Sequence, residues 1–201
     1  MPLSRGNLGK DSMKKQRTFN VCCFDLETTN LSADYGVILC AATSGGKGVP
    51  TVFSQRKLSP DWSRSSHNDK EVCQQLIAEL AQADFWVAHN GANFDIPFLY
   101  TRAAHWGLPT PPKKAILDPV IVARRHFRLS GNGLESLAKY FKLPRKTPLS
   151  SHVWMAASLE RDYTAMTALE RHCQRDVQIL MGLAPIFRDL WRHLGSTGSF
   201  Y

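Results

Sequence analysis

Thr18-Phe-Asn-Val-Cys-Cys-Phe-Asp25-Leu-Glu27-Thr28 carries a run of β-forming residues directly into two acids. It reads as a strand. Side chains alternate along a strand, so Asp25 and Glu27 share one face at its end while Phe24 and Leu26 point to the other. Two like charges on one face of an apolar strand repel and lose hydration. A divalent cation relieves both penalties; a strand end running out into solvent also accounts for D-x-E.

Working outward, Gly36–Ala42 reads as a second strand and Val49–Phe53 as a third, joined by the turn Ser44-Gly-Gly-Lys-Gly48. That turn lacks the G-K-[ST] ending of a phosphate-binding loop. Residues 54–68 are polar and loop-like. Asn68 followed by Glu71 forms a capping-box pattern, and Val72, Leu76, Ile77 and Leu80 then recur at helical spacing. Asp84–His89 is a short buried strand, Phe94–Trp106 a helix ended by Gly107, and Ala115–Leu117 another short strand. Asp118 and Pro119 supply a cap and a first-turn proline for a helix through Arg128. Asn132 caps a helix over Leu134–Phe141. A long helical region follows from about Tyr163 to Leu194, with Pro185 a candidate break. Three antiparallel strands followed by alternating helix and strand predict an α/β fold. The expected core is a mixed five-stranded sheet flanked by helices, in the order of a ribonuclease-H-like fold.

The 201 residues, 43% apolar and 21% charged, suit one folded unit. Residues 18–195 form the expected domain, with 1–17 a flexible basic tail and 196–201 a C-terminal tail. No stretch is long and apolar enough for a transmembrane helix, and the N-terminus lacks the apolar core of a secretory signal. Five cysteines without C-x-x-C spacing argue against a disulfide framework or zinc site, and fit a reducing, cytoplasmic setting. The formal charge of +8 is unevenly placed: residues 1–20 carry +4, residues 113–146 carry +7, and the remainder −3. An acidic part beside a basic part suits a polyanionic substrate drawn to a carboxylate site.

Two further clusters carry chemistry. His89-Asn90-Gly-Ala-Asn-Phe94-Asp95-Ile-Pro-Phe-Leu99 takes a buried strand through a glycine-containing loop to an acid at a helix mouth, where the helix dipole also favours it. His172-Cys-Gln-Arg-Asp176 places a histidine and an acid on one face of the long helix, beside the apolar stripe Leu169, Cys173, Val177 and Leu180. Such an i,i+4 pair is also a common surface or capping interaction. Asp118 is explained as a helix cap, and Trp154 as a core residue.

Taken together, D-x-E, N-x(4)-D and H-x(3)-D in this order resemble the DEDD (DnaQ-like) 3′→5′ exonuclease superfamily over roughly residues 18–185. FDLETTNL and HNGANFDIPFL carry most of the likeness. The resemblance implies that Asp25, Glu27, Asp95 and Asp176 hold two divalent cations, Mg²⁺ or Mn²⁺, about 3.5–4 Å apart. Hard cations are what an all-carboxylate set selects. It implies that His172 orients or deprotonates water, and that Thr28 and Leu31, with Asn90 and Phe94, contact the terminal nucleotide. The expected substrate is a single-stranded DNA or RNA 3′ end. Any polymerase or other repair or replication partner would act in trans. One departure stands out: the histidine belongs to one branch of that superfamily, but its H-x(3)-D spacing belongs to the tyrosine branch, and position 171 is Arg171. A catalytically silent nucleic-acid or polymerase-binding module, or a structure-selective endonuclease, are the competing readings of the same pattern.

Overall fold

The structure, a computed structural model, describes residues 19–45, 48–64 and 67–195. The two expected tails lie outside the described residues, apart from Thr18 at the expected start of the domain, which does too.

Five strands form one sheet in the order β3-β2-β1-β4-β5. β1 (Val21–Thr28) is central, antiparallel to β2 (Ile38–Ser44), which is antiparallel in turn to β3 (Thr51–Ser54). On the other side β1 runs parallel to β4 (Phe85–Val87), and β4 parallel to β5 (Ala115–Leu117). This is the mixed α/β sheet expected of a ribonuclease-H-like fold. The strand read over 18–25 continues through both acids, with a register shift between Glu27 and Thr28.

Alternation along β1 divides two cores. Cys22, Phe24 and Leu26 pack with helices α2 (Lys70–Gln82) and α3 (Asp95–His105). Cys23 packs on the opposite face with α4 (Pro119–His126), α5 (Leu134–Tyr140) and the long helix numbered α7 below. Asp25 and Glu27 have the parity of Cys23, so they face that second layer.

Local details depart from the sequence reading. The polar stretch 54–68 contains a short helix, α1 (Gln55–Leu58). The capping box at α2 does not close: Asp69 is the cap residue, Asn68 Oδ1 accepts the Lys70 N–H, and Glu71 Oε2 is buried without a hydrogen bond. Asp69 is instead buried, where it accepts from the Ile38 N–H and from both Arg102 and Trp106. A buried carboxylate needs charged or N–H partners, and that demand outweighs a cap bond. Gly133, not Asn132, caps α5. Two helical turns are additional: α6 (Ser151–Met155), then a π-helical turn (Ala156–Glu160) ended by Arg161 in the left-handed region. The last helix, α7 (Tyr163–Gly195), passes through Pro185 unbroken.

The turn between β4 and α3 depends on Gly91. A Cβ there would collide with the Cβ of Ala88, so the chain can fold back only without a side chain. Gly91→Ala is therefore expected to destabilise the protein by about 1–3 kcal/mol, as overpacking does. A thermal melt lower by several degrees checks it.

Candidate active site

Three elements bring their acids to one place. β1 outruns β4: the two pair only as far as Cys23 and Val87. Beyond that point the edge of β1 has no strand partner. The Leu26 N–H is satisfied by Asp95 Oδ1, 3.2 Å away at the mouth of α3. Asp95 thus reaches the strand end through the backbone bond its neighbour lacks. On the other side Cys173 Sγ lies 3.3 Å from the Asp25 carbonyl, holding α7 against β1. One turn along α7, His172 and Asp176 project beside it. Leu169, Cys173, Val177 and Leu180 are all fully buried, as the stripe predicts.

Asp25, Glu27, Phe94, Asp95, His172 and Asp176 line a single cleft of about 710 Å³. Thr28, Leu31 and Asn90 are not among its lining residues. Thr28 Oγ1 donates to the Asn30 carbonyl, Leu31 is 83% exposed, and Asn90 has φ 61° with its N–H on Asp118 Oδ1. Asp118 also accepts the Val120 N–H as the cap of α4, the role its sequence context predicts.

The cleft contains residues that the motifs did not flag. Trp154, half-buried on α6, donates its indole N–H to Glu27 Oε2 at 3.1 Å, and its ring meets His172 edge-on at 5.7 Å. Lys146 places Nζ 2.5 Å from Asp176 Oδ2. Its backbone N–H is anchored on Glu135 Oε2 at 2.8 Å. His89 lines the same wall. Lys146 had a readable sign: Pro144 and Pro148 bracket it, which keeps the segment out of regular structure. Trp154 had none.

Crowding dominates the electrostatics. Burial, reinforced by Asp176, Glu27 and Asp95, pushes the Asp25 carboxyl well above its ordinary range. Burial, then Asp176, raises Glu27 to about 8, although Lys146 and the Trp154 N–H oppose this. Burial raises Asp95 to about 7 against the backbone N–H groups that stabilise its charge. Burial also raises Asp176 while Lys146 opposes it. The imidazoles shift the other way: burial lowers His172, aided by Lys146 and opposed by Asp176. Burial, Lys146 and Arg124 lower His89 to about 4.

The donor set fits a divalent cation. Asp176 is 2% exposed, yet its Oδ1 has no hydrogen-bond partner. Several buried carboxylates with one ammonium among them leave negative charge that a further cation would balance.

A mixed sheet with helices on both faces and an acidic cleft at the end of its central strand defines the class of fold. The chain matches the RNase_H superfamily over residues 22–186, and it belongs to that superfamily. It is 31% identical over 75 residues to a DNA polymerase III PolC-type from Ureaplasma parvum serovar 3, a stretch covering 37% of this chain and 5% of that protein. The family B DNA polymerase of the hyperthermophilic archaeon Pyrobaculum calidifontis shares the fold. The TM-score is 0.68 at 19% identity, over 85% of this chain and 25% of that one. This chain therefore spans only a small part of either protein. Among the described residues no helix is long and apolar enough to cross a membrane.

The raised carboxyls set a pH dependence. Glu27 and Asp95 hold protons in the folded state up to about 8 and about 7, whereas unfolded acids release them near pH 4. Between those limits the metal-free folded state binds more protons than the unfolded one, so these groups lose their stabilising effect as pH rises. A divalent cation binds the deprotonated forms and reverses the trend. The gain in melting temperature on adding Mg²⁺ or Mn²⁺ is expected to be larger at pH 8 than at pH 6.

Proposed function

We propose that the protein is a metal-dependent nuclease that acts as a 3′→5′ exonuclease on single-stranded nucleic acid, releasing nucleoside monophosphates. The observation that carries this reading is the convergence of Asp25, Glu27, Asp95 and Asp176, from a strand, a helix mouth and a distant helix, on one cleft. Nothing in the packing requires four acids there; each is costly to bury beside the others.

In this reading the four carboxylates hold the cations, with Glu27 fixed by Trp154 and Asp95 by the Leu26 N–H. When bound, a pair of Mg²⁺ or Mn²⁺ ions supplies a nucleophilic hydroxide at neutral pH and charge neutralisation on the phosphate. His172, held neutral by burial, presents a ring nitrogen to the same space. Lys146 and Arg145 bring positive charge to the cleft wall, where a phosphodiester can be drawn in. Phe94 offers a ring for the terminal base. Thr28 and Leu31 follow Glu27 on the chain and are the proposed end contacts beyond the cleft, with Asn90 at the opposite turn. The printed names of the similar proteins, both DNA polymerases, support a setting in replication or repair, with any polymerase acting in trans.

Incubating 5′-labelled and 3′-labelled oligonucleotides with Mn²⁺ tests the proposal. A ladder shortening from the 3′ end supports it. Internal cuts indicate an endonuclease, and inertness a silent binding module; either outcome refutes it. Asp25→Ala and Asp176→Ala are each expected to lower turnover by about 10²–10³-fold or more, as loss of one preorganised electrostatic group does. Circular dichroism should show the fold retained.

A further inference from the structure

We propose that His172, Glu27 and Asp176 form a mixed nitrogen–oxygen site for one first-row divalent cation, taking Mn²⁺ in preference to Mg²⁺, with Trp154 as the residue that orients Glu27. This deepens the metal-dependent reading above and rests on it, but it moves His172 from beside the metal to a place among its ligands.

The geometry comes first. One ligand atom from each of the three residues lies within 4.8 Å of the other two, and all three residues are buried. His172 Nε2 is 3.7 Å from Glu27 Oε1 and 3.9 Å from Asp176 Oδ2. Two atoms each bonded to a common ion at about 2.1 Å stand between about 3 Å apart when adjacent and about 4.2 Å when opposite. The observed separations fall inside that window. They are too long for hydrogen bonds, so the nitrogen and the carboxylates face one another without bonding.

The spacing is the second reason. H-x(3)-D puts the two side chains one turn apart on the same face of α7. The same i,i+4 arrangement lets two helical histidines grip one metal. A nitrogen that served only water would not have to share this face so closely with a ligand carboxylate.

The unmet bonding capacity is independent of both. Asp176 Oδ1 is buried without a partner, and so is His172 Nδ1, on residues 2% and 4% exposed. Lys146 occupies only Oδ2 of Asp176, leaving the other oxygen to a cation. Glu27 is also committed on one side only: Trp154 holds Oε2, which leaves Oε1 turned towards His172. The indole N–H can donate but cannot ligate, so it orients the carboxylate without competing for the ion.

An imidazole in the set changes the metal choice. Mg²⁺ takes oxygen ligands almost exclusively, whereas Mn²⁺ and later first-row ions accept nitrogen as well.

The full-length protein loaded with Mn²⁺ tests this by pulsed electron paramagnetic resonance. Nitrogen modulation from a directly bound imidazole is expected, altered by ¹⁵N-histidine labelling and lost in His172→Ala. His89→Gln should retain it, since His89 lines the cleft but is not in the cluster. His172→Ala should weaken Mn²⁺ binding at least about tenfold and Mg²⁺ binding less, and Trp154→Phe should weaken Mn²⁺ by about 10–100-fold with the nitrogen signal retained. Bound Mn²⁺ without nitrogen coupling overturns the site, even if 3′→5′ activity is present. Unchanged Mn²⁺ affinity in Trp154→Phe overturns the orienting role. Wild-type protein that binds no Mn²⁺ refutes this inference and the metal-dependent reading together, whereas nitrogen-coupled Mn²⁺ without 3′ shortening leaves the site standing and removes only the exonuclease assignment.

Discussion

Four carboxylates share one buried cleft, and their mutual repulsion is the constraint around which this molecule is organised. Each would be more comfortable in water, and burial drives every one of them towards its protonated form. The surrounding structure answers that cost piece by piece. Asp95 receives the Leu26 N–H, Glu27 the Trp154 N–H, and Asp176 the Lys146 ammonium. Only Asp25 is left to electrostatics alone among the side-chain bonds described. An arrangement that compensates like charges with scattered donors, yet keeps an oxygen of Asp176 unpaired, is poised to take up cations.

The fold makes this crowding possible because β1 is both central and long. It is covered by helices on two faces, so its outer half is shielded from solvent. It also extends past β4, so its end is open to the mouth of α3. A strand of equal length to its neighbour would have spent the Leu26 N–H on the sheet and left Asp95 without its anchor. The close fold at Gly91 and the carboxylate of Asp118, bonded to Asn90 and Val120, hold that mouth in place from below. Stability and site therefore share residues, and the turn after β4 belongs to both.

Lys146 and Trp154 belong to a part of the chain without a motif. The segment from Leu143 to the π-helical turn crosses the cleft as a strap, pinned by the Lys146 N–H on Glu135 and packed through Trp154. π-helical turns interrupt regular hydrogen bonding and cluster near functional sites. Here one directly follows the residue that holds Glu27.

The sequence by itself determined the strands and helices that carry the acids, because their hydrophobic periods are strong and local. It also placed Asp25 and Glu27 on one face, and Asp118 as a cap, since both follow from spacing along a single element. The cap of α2 escaped it because Asp69 answers to Arg102, a partner 33 residues away, rather than to its own helix. Only the tertiary structure decided that Lys146 and Trp154 enter the cleft while Thr28, Leu31 and Asn90 stay out of its lining. Those positions depend on how separate elements pack across the end of β1. Packing of that kind is set by contacts between residues far apart in the chain, which no local period or spacing records.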